Sequence, residues 1–559
     1  MTTTVMPSAS RKDWPRLNLW LVASVLITMA ILTPVITVLL NLFAPASENW
    51  EHLVDTVLPD YVLNSLILMF GVALGAGSIG VTTAWLTSMY RFPGKKFLEW
   101  ALLLPLGVPA YIIAYTYTGM LDVSGPVQQW IRVSFDVSYG EYWFPEVRSI
   151  EGAIAMFSLV LYPYVYLLTR AAFIEQSICV LEASRVLGCT PWQSFSKVAL
   201  PLARPAIVAG LSLALMETLA DFGTVQYFGV STFTTGIFRT WFGMYDPVAA
   251  SQLSAILLVF VFGLILLERW SRRRAQFHHT TNRYQELPET PLEGYRAVVA
   301  LVACSIPLLL GFFVPLFQLT LWAVETFETM VDEKFIRLML NSFSLAVLAA
   351  VVALIPALIL GYGNRFRPSR IMQLLTRLSA MGYAIPGTVI AVGVLIPFGA
   401  VDRSVDAWTR SNLGFGSGLL LTGTIFILLF AYTVRFLAVS LQTTEAGLGK
   451  IKPSMDEASR SMGNSRLRTL KRVHFPIMKG SMLTALVIVF VDVMKELPAT
   501  LVLRPFDFNT LAVRAYELAS DERLADSSTA ALAIVLVGVV PVILLSRAIS
   551  RSRAGTAAQ

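Results

Sequence analysis

Two apolar blocks of the sequence each contain a pair of carboxylates. Glu217 and Asp221 lie in one block, and Asp492 and Glu496 repeat the pair with the same spacing in the other. A spacing of four places both members of a pair on one helix face. Ionisable residues in a membrane-spanning segment are costly and mark functional sites, and four carboxylates around one axis would suit a hard, highly charged cation. We predict that they line a translocation pathway; the alternative is that they pair with neighbours such as Lys495 and Arg residues, or satisfy helix contacts.

Other groups that could do chemistry are scattered. Tyr111, Tyr115 and Tyr117 could add phenolic oxygens to such a pathway, although tyrosine is also common at membrane interfaces. The sequence assigns no metal ligands firmly. The remaining candidates, four histidines and three cysteines, show no catalytic or metal-ligand spacing and predict no disulfide: His52, His278, His279, His474, Cys179, Cys189 and Cys304. No GxxxxGK[ST] phosphate-binding loop occurs, so we predict that the chain is not an enzyme and does not hydrolyse ATP itself.

The composition requires a membrane as solvent for the elements that position these residues. Of the 559 residues, 55% are hydrophobic and only 14% are charged, against roughly 25% charged in a soluble domain. The apolar blocks reach the length of about 20 residues that a membrane-spanning helix needs. We therefore predict an all-α fold of about twelve transmembrane helices. They lie near 17–43, 61–90, 97–121, 150–174, 201–231, 248–268, 297–327, 338–363, 372–400, 415–441, 476–503 and 528–548.

Basic clusters between the blocks predict the orientation, because Lys and Arg mark the cytoplasmic side of a membrane protein. All of them fall on one face, so both termini are expected in the cytoplasm, and the net charge of +7 reflects topology rather than nucleic-acid binding. The clusters are Arg11, Lys12 and Arg16; Arg91, Lys95 and Lys96; Arg170, Lys197 and Arg204; Arg272 to Arg274; Arg365, Arg367 and Arg370; Arg466 to Arg472; and Arg547, Arg551 and Arg553.

The chain repeats itself, with a nearly constant offset between matching positions. Asn64-Ser65 matches Asn341-Ser342, and Pro109 matches Pro386. The repeat predicts two homologous six-helix halves, 1–268 and 297–559, joined by a polar cytoplasmic linker at 269–296.

Each half also carries the same long loop, at 175–201 and 442–476. The first loop contains Glu182-Ala183-Ser184, Gly188 and Pro201. The second repeats these positions, with the same spacing, as Glu457-Ala458-Ser459, Gly463 and Pro476. The pattern predicts two short helices joined at a glycine in the left-handed region. We expect a capping box from Ser454 to Glu457, an N-cap at Thr190, and prolines that end the loop.

These loops resemble the EAA loops of bacterial ABC importer permeases, with serine at the third motif position and Phe475 in place of leucine as mild departures. The resemblance implies that two copies of a separate ATP-binding subunit, which binds ATP and Mg, dock on the loops. It also implies that a periplasmic binding protein delivers the substrate to the opposite face and that transport proceeds by alternating access.

Longer stretches resemble the fused permeases of ferric-iron importers. They are METLADFGTVQYFGVSTFTTGIFRTWFGMYD at 216–246, MKELPATLVLRPFDFNTLAVRAYELASDERLAD at 494–526 and IIAYTYTGMLDVSGPVQ at 112–128. This resemblance implies Fe(III) as the transported substrate in a bacterial inner membrane. Thiamine or another small solute, and an ion-gradient-driven secondary transporter, stay open as alternatives.

Overall fold

Long helices form wherever the apolar blocks occur, because a backbone in hydrocarbon must satisfy its hydrogen bonds internally. The computed structural model describes residues 19–45, 47–175, 184, 186–273, 290–366 and 368–552. Within these residues, eleven helices are long and apolar enough to cross a membrane, and a bent helix pair makes a twelfth. The predicted all-α architecture is confirmed.

The helices of the first half are α1 (Leu19–Asn41), α2 (Glu48–Thr56), α3 (Leu58–Met89), α4 (Lys95–Ala101), α5 (Ala110–Leu121), α6 (Pro126–Phe135), α7 (Ile150–Glu175), α8 (Pro191–Ser194), α9 (Leu200–Ala220), α10 (Gly223–Tyr227), α11 (Phe233–Phe242) and α12 (Pro247–Arg273).

Those of the second half are α13 (Tyr295–Leu308), α14 (Val314–Glu325), α15 (Phe327–Met330), α16 (Glu333–Phe366), α17 (Arg370–Ser379), α18 (Gly387–Leu413), α19 (Ile425–Gly449), α20 (Pro453–Ser461), α21 (Arg466–Thr469), α22 (Phe475–Met494), α23 (Pro498–Leu503), α24 (Leu511–Ser520) and α25 (Leu524–Ser552). Two short parallel strands, β1 (Tyr90–Arg91) in the first half and β2 (Thr290–Pro291) in the predicted linker, pair with each other.

The third span of each half is broken, whereas the sequence predicted continuous helices at 97–121 and 372–400. A 3₁₀ turn, Leu104–Gly107 or Ala380–Ala384, separates α4 from α5 and α17 from α18. Pro109 and Pro386 then occupy the N-cap positions of α5 and α18. A proline lacks the N–H that a continuous helix needs and disfavours helical geometry in the residue before it. The same break in both halves confirms the repeat at this position.

The first helix of each half packs against the other half. Helix α1 contacts α17 and α18, and Thr28 Oγ1 lies 3.0 Å from Ser379 Oγ. In the other direction, Tyr117 of α5 donates a hydrogen bond of 2.6 Å to the carbonyl of Leu310, in the π-helical turn between α13 and α14. We call this arrangement the exchange of first helices. Because of it, neither half packs as a separate bundle.

Part of the predicted sites and boundaries falls outside the described residues. Glu182 and Ala183 of the first loop, Cys179, and most of the predicted linker, including Arg274, His278 and His279, lie there. So do several residues of the basic clusters: Arg11, Lys12, Arg16, Arg367 and Arg553.

Candidate functional site

The carboxylates Asp221 and Glu496 lie beyond the ends of their helices. Helix α9 ends at Ala220 and α22 ends at Met494. Asp221 accepts hydrogen bonds from Thr224 N at 2.9 Å and Val225 N at 3.3 Å, at the start of α10. The prediction that each carboxylate pair shares one helix face is therefore wrong, because the chain leaves the helix before the second member of each pair.

Glu496 makes the equivalent contacts in the second half. It accepts hydrogen bonds from Ala499 N and Thr500 N, each at 3.0 Å, and from Thr500 Oγ1 at 2.7 Å. A side chain that satisfies free N–H groups at a helix start stabilises that helix. Asp221 and Glu496 thus stabilise the starts of α10 and α23, the short helices that follow the breaks after α9 and α22.

Glu217 and Asp492 remain on their helices and face a cavity between the halves. All four carboxylates line this cavity, together with Lys495 and Arg435. Lys495 Nζ lies 3.0 Å from Asp492 Oδ1, and Arg435 Nη1 lies 3.5 Å from Glu496 Oε1. Asp492 and Glu496 thus pair with neighbouring cations, as the alternative interpretation predicts, while both also line the cavity. The lining carries two more carboxylates than cations.

The cavity differs from the predicted four-carboxylate cation site. No group of three or more carboxylate, histidine or cysteine side chains within the described residues is placed to hold a metal ion. Of the three tyrosines, Tyr111 lines the cavity, whereas Tyr115 packs between Tyr111 and Tyr227 and the Tyr117 hydroxyl contacts a carbonyl elsewhere. Sequence reasoning missed Arg435, whose signal was a single charge within the apolar block 415–441.

The two EAA loops have the predicted glycine geometry. Gly188 and Gly463 have φ values of +85° and +75°. The N–H groups of the next residues, Cys189 and Asn464, close the turn on Ser184 O and Ser459 O at 3.0 and 3.1 Å. A side chain would strain this left-handed conformation, which explains the requirement for glycine.

The serines at the third motif position form a contact that repeats in both loops. Ser184 Oγ lies 2.8 Å from Ser194 Oγ, and Ser459 Oγ lies 2.8 Å from Thr469 Oγ1. All four hydroxyls belong to buried residues. Each pair joins a residue before the loop glycine to the short helix that follows the glycine, so the serines that depart from the family pattern have a structural role.

Two local predictions for the loops need correction. The predicted N-cap at Thr190 is confirmed, and it forms a capping box with Gln193 that was not predicted; Ser454 is not an N-cap, because α20 begins at Pro453 after Lys452. Pro201 and Pro476 do not end the loop either. The short helices α8 and α21 continue through π-helical turns, Phe195–Ala199 and Leu470–His474, into α9 and α22. Each proline lies in the first turn of the following helix, where a π turn accommodates its missing hydrogen bond.

Exposed apolar side chains surround both loops. Val186, Leu187 and Trp192 are exposed in the first loop, and Met455 and Met462 are exposed in the second. Glu457 and Gly463 are also exposed. Exposed apolar groups beside a short polar helix are typical of a surface that docks on another protein.

On the face opposite the EAA loops, Arg148 connects the two halves. Its guanidinium forms a bidentate ion pair with Glu522, at 2.7 and 2.8 Å, and lies 4.9 Å from the ring centre of Tyr227. The hydrogen bond from Arg148 lowers the pKa of Glu522 below its ordinary value.

Comparison with known proteins identifies the family. The sequence pattern of the binding-protein-dependent transport system inner membrane component matches the chain twice, at residues 76–276 and 351–554. The chain belongs to this family. It is therefore a multi-pass inner membrane protein and a permease subunit of the ABC importer class, with two fused copies of the family domain.

Individual relatives agree with this assignment. The chain is 27% identical over 508 residues to the Fe(3+)-transport system permease protein FbpB 2 of Haemophilus influenzae, a match that covers 90% of this chain and 92% of the relative. It is 26% identical to the ferric transport system permease protein FbpB of Actinobacillus pleuropneumoniae, over 78% of this chain and 64% of the relative. The sulfate transport system permease protein CysT of Escherichia coli is 27% identical and matches 48% of this chain with 99% of its own length.

Proposed function

We propose that the chain forms the membrane pathway of an ATP-driven importer for ferric iron. The observation that carries this proposal is the similarity to a permease named for Fe(3+) transport along nine-tenths of the chain. The excess of carboxylates in the central cavity supports it, because Fe(III) is a hard cation that prefers oxygen ligands. Glu217 and Asp492 present carboxylates to the cargo, while Asp221 and Glu496 shape the cavity by holding the helix breaks.

The EAA loops receive the ATP-binding subunits in this proposal. Two copies dock, one on each loop, and bind ATP and Mg. A periplasmic ferric-iron-binding protein docks on the face that carries Arg148 and Glu522, and both termini lie in the cytoplasm. ATP binding can shift the halves from inward-facing to outward-facing only if the closed ATP-binding subunits contact the two states differently.

A sulfate permease is the second candidate, because 99% of the length of the sulfate permease CysT matches 48% of this chain. The charge of the cavity disfavours it. Four carboxylates against two cations would repel a doubly negative anion, whereas they would attract a trivalent cation.

The test is transport by the chain reconstituted in vesicles with its ATP-binding and binding-protein partners. We expect ferric iron on the binding protein to stimulate ATP hydrolysis and to accumulate inside. Glu182→Arg with Glu457→Arg should abolish stimulation, whereas Glu217→Ala with Asp492→Ala should hydrolyse ATP without moving iron. Stimulation by thiamine or sulfate but not by iron would contradict the substrate, and uptake without any ATP-binding subunit would contradict the mechanism in favour of a gradient-driven carrier.

A further inference from the structure

The second EAA loop is attached to the membrane helices by Arg365, at the end of α16. The guanidinium donates to the carbonyls of Leu448 and Ile451 at 2.9 and 3.0 Å. It also contacts Asp456 Oδ2, with Nη2 at 2.7 Å and Nε at 3.2 Å. A single cation therefore joins the end of α19 to the first turn of α20, the short helix that carries Glu457.

His474 holds the other oxygen of the same carboxylate. Its Nε2 lies 2.5 Å from Asp456 Oδ1, and its fully buried ring stacks at 5° on Tyr362, with 5.6 Å between ring centres. Burial by itself raises the pKa of Asp456, but the hydrogen bonds from His474 and Arg365 outweigh it and hold the pKa below its ordinary value. We call Arg365, Asp456 and His474 the clasp.

The first half has no residues that could form a clasp at the matching positions of the sequence. When the two EAA motifs are aligned, Leu181 corresponds to Asp456 and Ala199 corresponds to His474. The repeat that matches Asn64 with Asn341 and Pro109 with Pro386 places Ser88, which carries no positive charge, opposite Arg365. The hydroxyl pairs are common to both loops, whereas the sequence of the first loop lacks the Asp and His of the charged contact at the matching positions.

We propose that Asp456 is a positioning residue that joins the second docking helix to α16 and α22, so that the two halves transmit the movement of the ATP-binding subunits unequally. This inference rests on the proposed docking of those subunits. A docking helix whose carboxylate has its two oxygens held by Arg365 and His474 moves with the membrane helices that carry them, because contacts to both oxygens leave the carboxylate few alternative arrangements. The first loop carries neutral residues at the positions that match Asp456 and His474, so this charged connection is specific to the second half.

The test compares Asp456→Asn, His474→Ala and His474→Gln with wild type in the reconstituted complex. His474→Ala installs the residue of the first half, whereas glutamine retains a donor for Asp456. Asp406→Asn is the matched control, because it also removes an Arg–Asp pair, 2.6 Å from Arg410, but far from the loops in sequence. We expect the amount of cargo moved per ATP hydrolysed to fall at least about fivefold in Asp456→Asn and His474→Ala. His474→Gln and Asp406→Asn should stay near wild type, and the ATP-binding subunits should still co-purify with every variant.

Hydrogen exchange on the purified permease gives a readout that needs no cargo. We expect α20 to exchange more slowly than the first loop in wild type, and Asp456→Asn to remove this difference. Equal cargo per ATP in wild type and Asp456→Asn, or equal protection of the two loops in wild type, would overturn the inference. The proposed function is judged on wild type alone, through its response to ferric iron, so its failure is distinguishable from failure of the clasp.

Discussion

At the scale of single residues, the four intramembrane carboxylates divide into two kinds. Asp221 and Glu496 are engaged by backbone N–H groups, whereas Glu217 and Asp492 project from helices toward the cavity. Both pairs have the same spacing in the sequence. Which kind each residue belongs to therefore depends on where its helix ends. Substitutions should therefore have different consequences in the two pairs.

We expect Asp221→Ala to lower the stability of the protein, by about 0.5–2 kcal/mol for a lost helix cap. Glu217→Gln, which removes charge without removing a cap, should leave the melting temperature near wild type but reduce iron transport about tenfold, equivalent to about 1.4 kcal/mol. Thermal unfolding in detergent and uptake in vesicles measure the two effects. An unstable Glu217→Gln together with a stable Asp221→Ala would contradict this division.

At the scale of elements, each EAA loop is a turn held by one glycine and one hydroxyl pair and continued into the membrane by a π turn. The glycine was predictable from the sequence, because Gly188 and Gly463 each follow a stretch that the sequence predicts to be helical. The hydroxyl pairs were not, since Ser184 and Ser194 become neighbours only after the turn has formed. The π turn was not predictable either, because a proline after a loop usually indicates that the loop ends and a new helix begins.

Gly463→Ala should weaken the second loop, because a side chain in the left-handed region costs about 1–2 kcal/mol. We expect fewer ATP-binding subunits to co-purify with this variant, and the same result for Gly188→Ala. Gly480→Ala is the control, since this helical glycine has open space at the position of a new Cβ. Unchanged subunit binding in both loop variants would show that the glycine conformation does not matter for docking.

The Ser184 and Ser459 hydroxyls provide a second test at this scale. Ser459→Ala removes this contact, while the Thr469 hydroxyl keeps its hydrogen bond of 3.2 Å to the Ser465 carbonyl, so the loss should be about 0.5–1.5 kcal/mol. Ser459→Ala combined with Thr469→Val should cost less than the sum of the two single substitutions, because each single substitution already removes the shared contact. Melting temperatures of the single and double variants measure the difference. Additive losses would contradict a direct contact.

At the scale of the whole molecule, the architecture was largely predictable and the connections between the halves were not. Apolar block length predicted the spans, and the repeated EAA spacing predicted the family. The breaks before Pro109 and Pro386 were missed because apolar residues continue through them. The contacts of Arg148 with Glu522 and of Asp456 with His474 were missed because tertiary structure alone brings these residues together.

The Arg148–Glu522 ion pair connects the halves on the face opposite the EAA loops, so it must break if that face opens. We expect Arg148→Ala to raise ATP hydrolysis in the absence of the binding protein. Exchanging the charges, with Arg148→Glu and Glu522→Arg, should restore the low basal rate. Arg132→Ala is the control, because Arg132 bonds to Tyr142 and Val123 within its own half. A basal rate unchanged in Arg148→Ala would contradict a closing role for the pair.

The pH dependence of this ion pair follows from the lowered pKa of Glu522. A depressed pKa means that the contact is fully present above the ordinary glutamate pKa of 4.5 and is lost as the pH falls through the lower value of the folded protein. The difference in basal ATP hydrolysis between wild type and Arg148→Ala should therefore be constant between about pH 6 and pH 8. A difference that disappears within that range would require another titrating group.

The exchange of first helices also has a consequence for how the chain is made. Thr28 on α1 contacts Ser379, which lies 351 residues later. At a synthesis rate of about 5–20 residues per second, that partner leaves the ribosome roughly 20 to 70 seconds after α1. Until then α1 can contact α12 of its own half but lacks its neighbours in the second half, α16, α17 and α18. Fusion of the halves in one polypeptide ensures that each early helix is followed by its partner, in equal amount and in the same patch of bilayer.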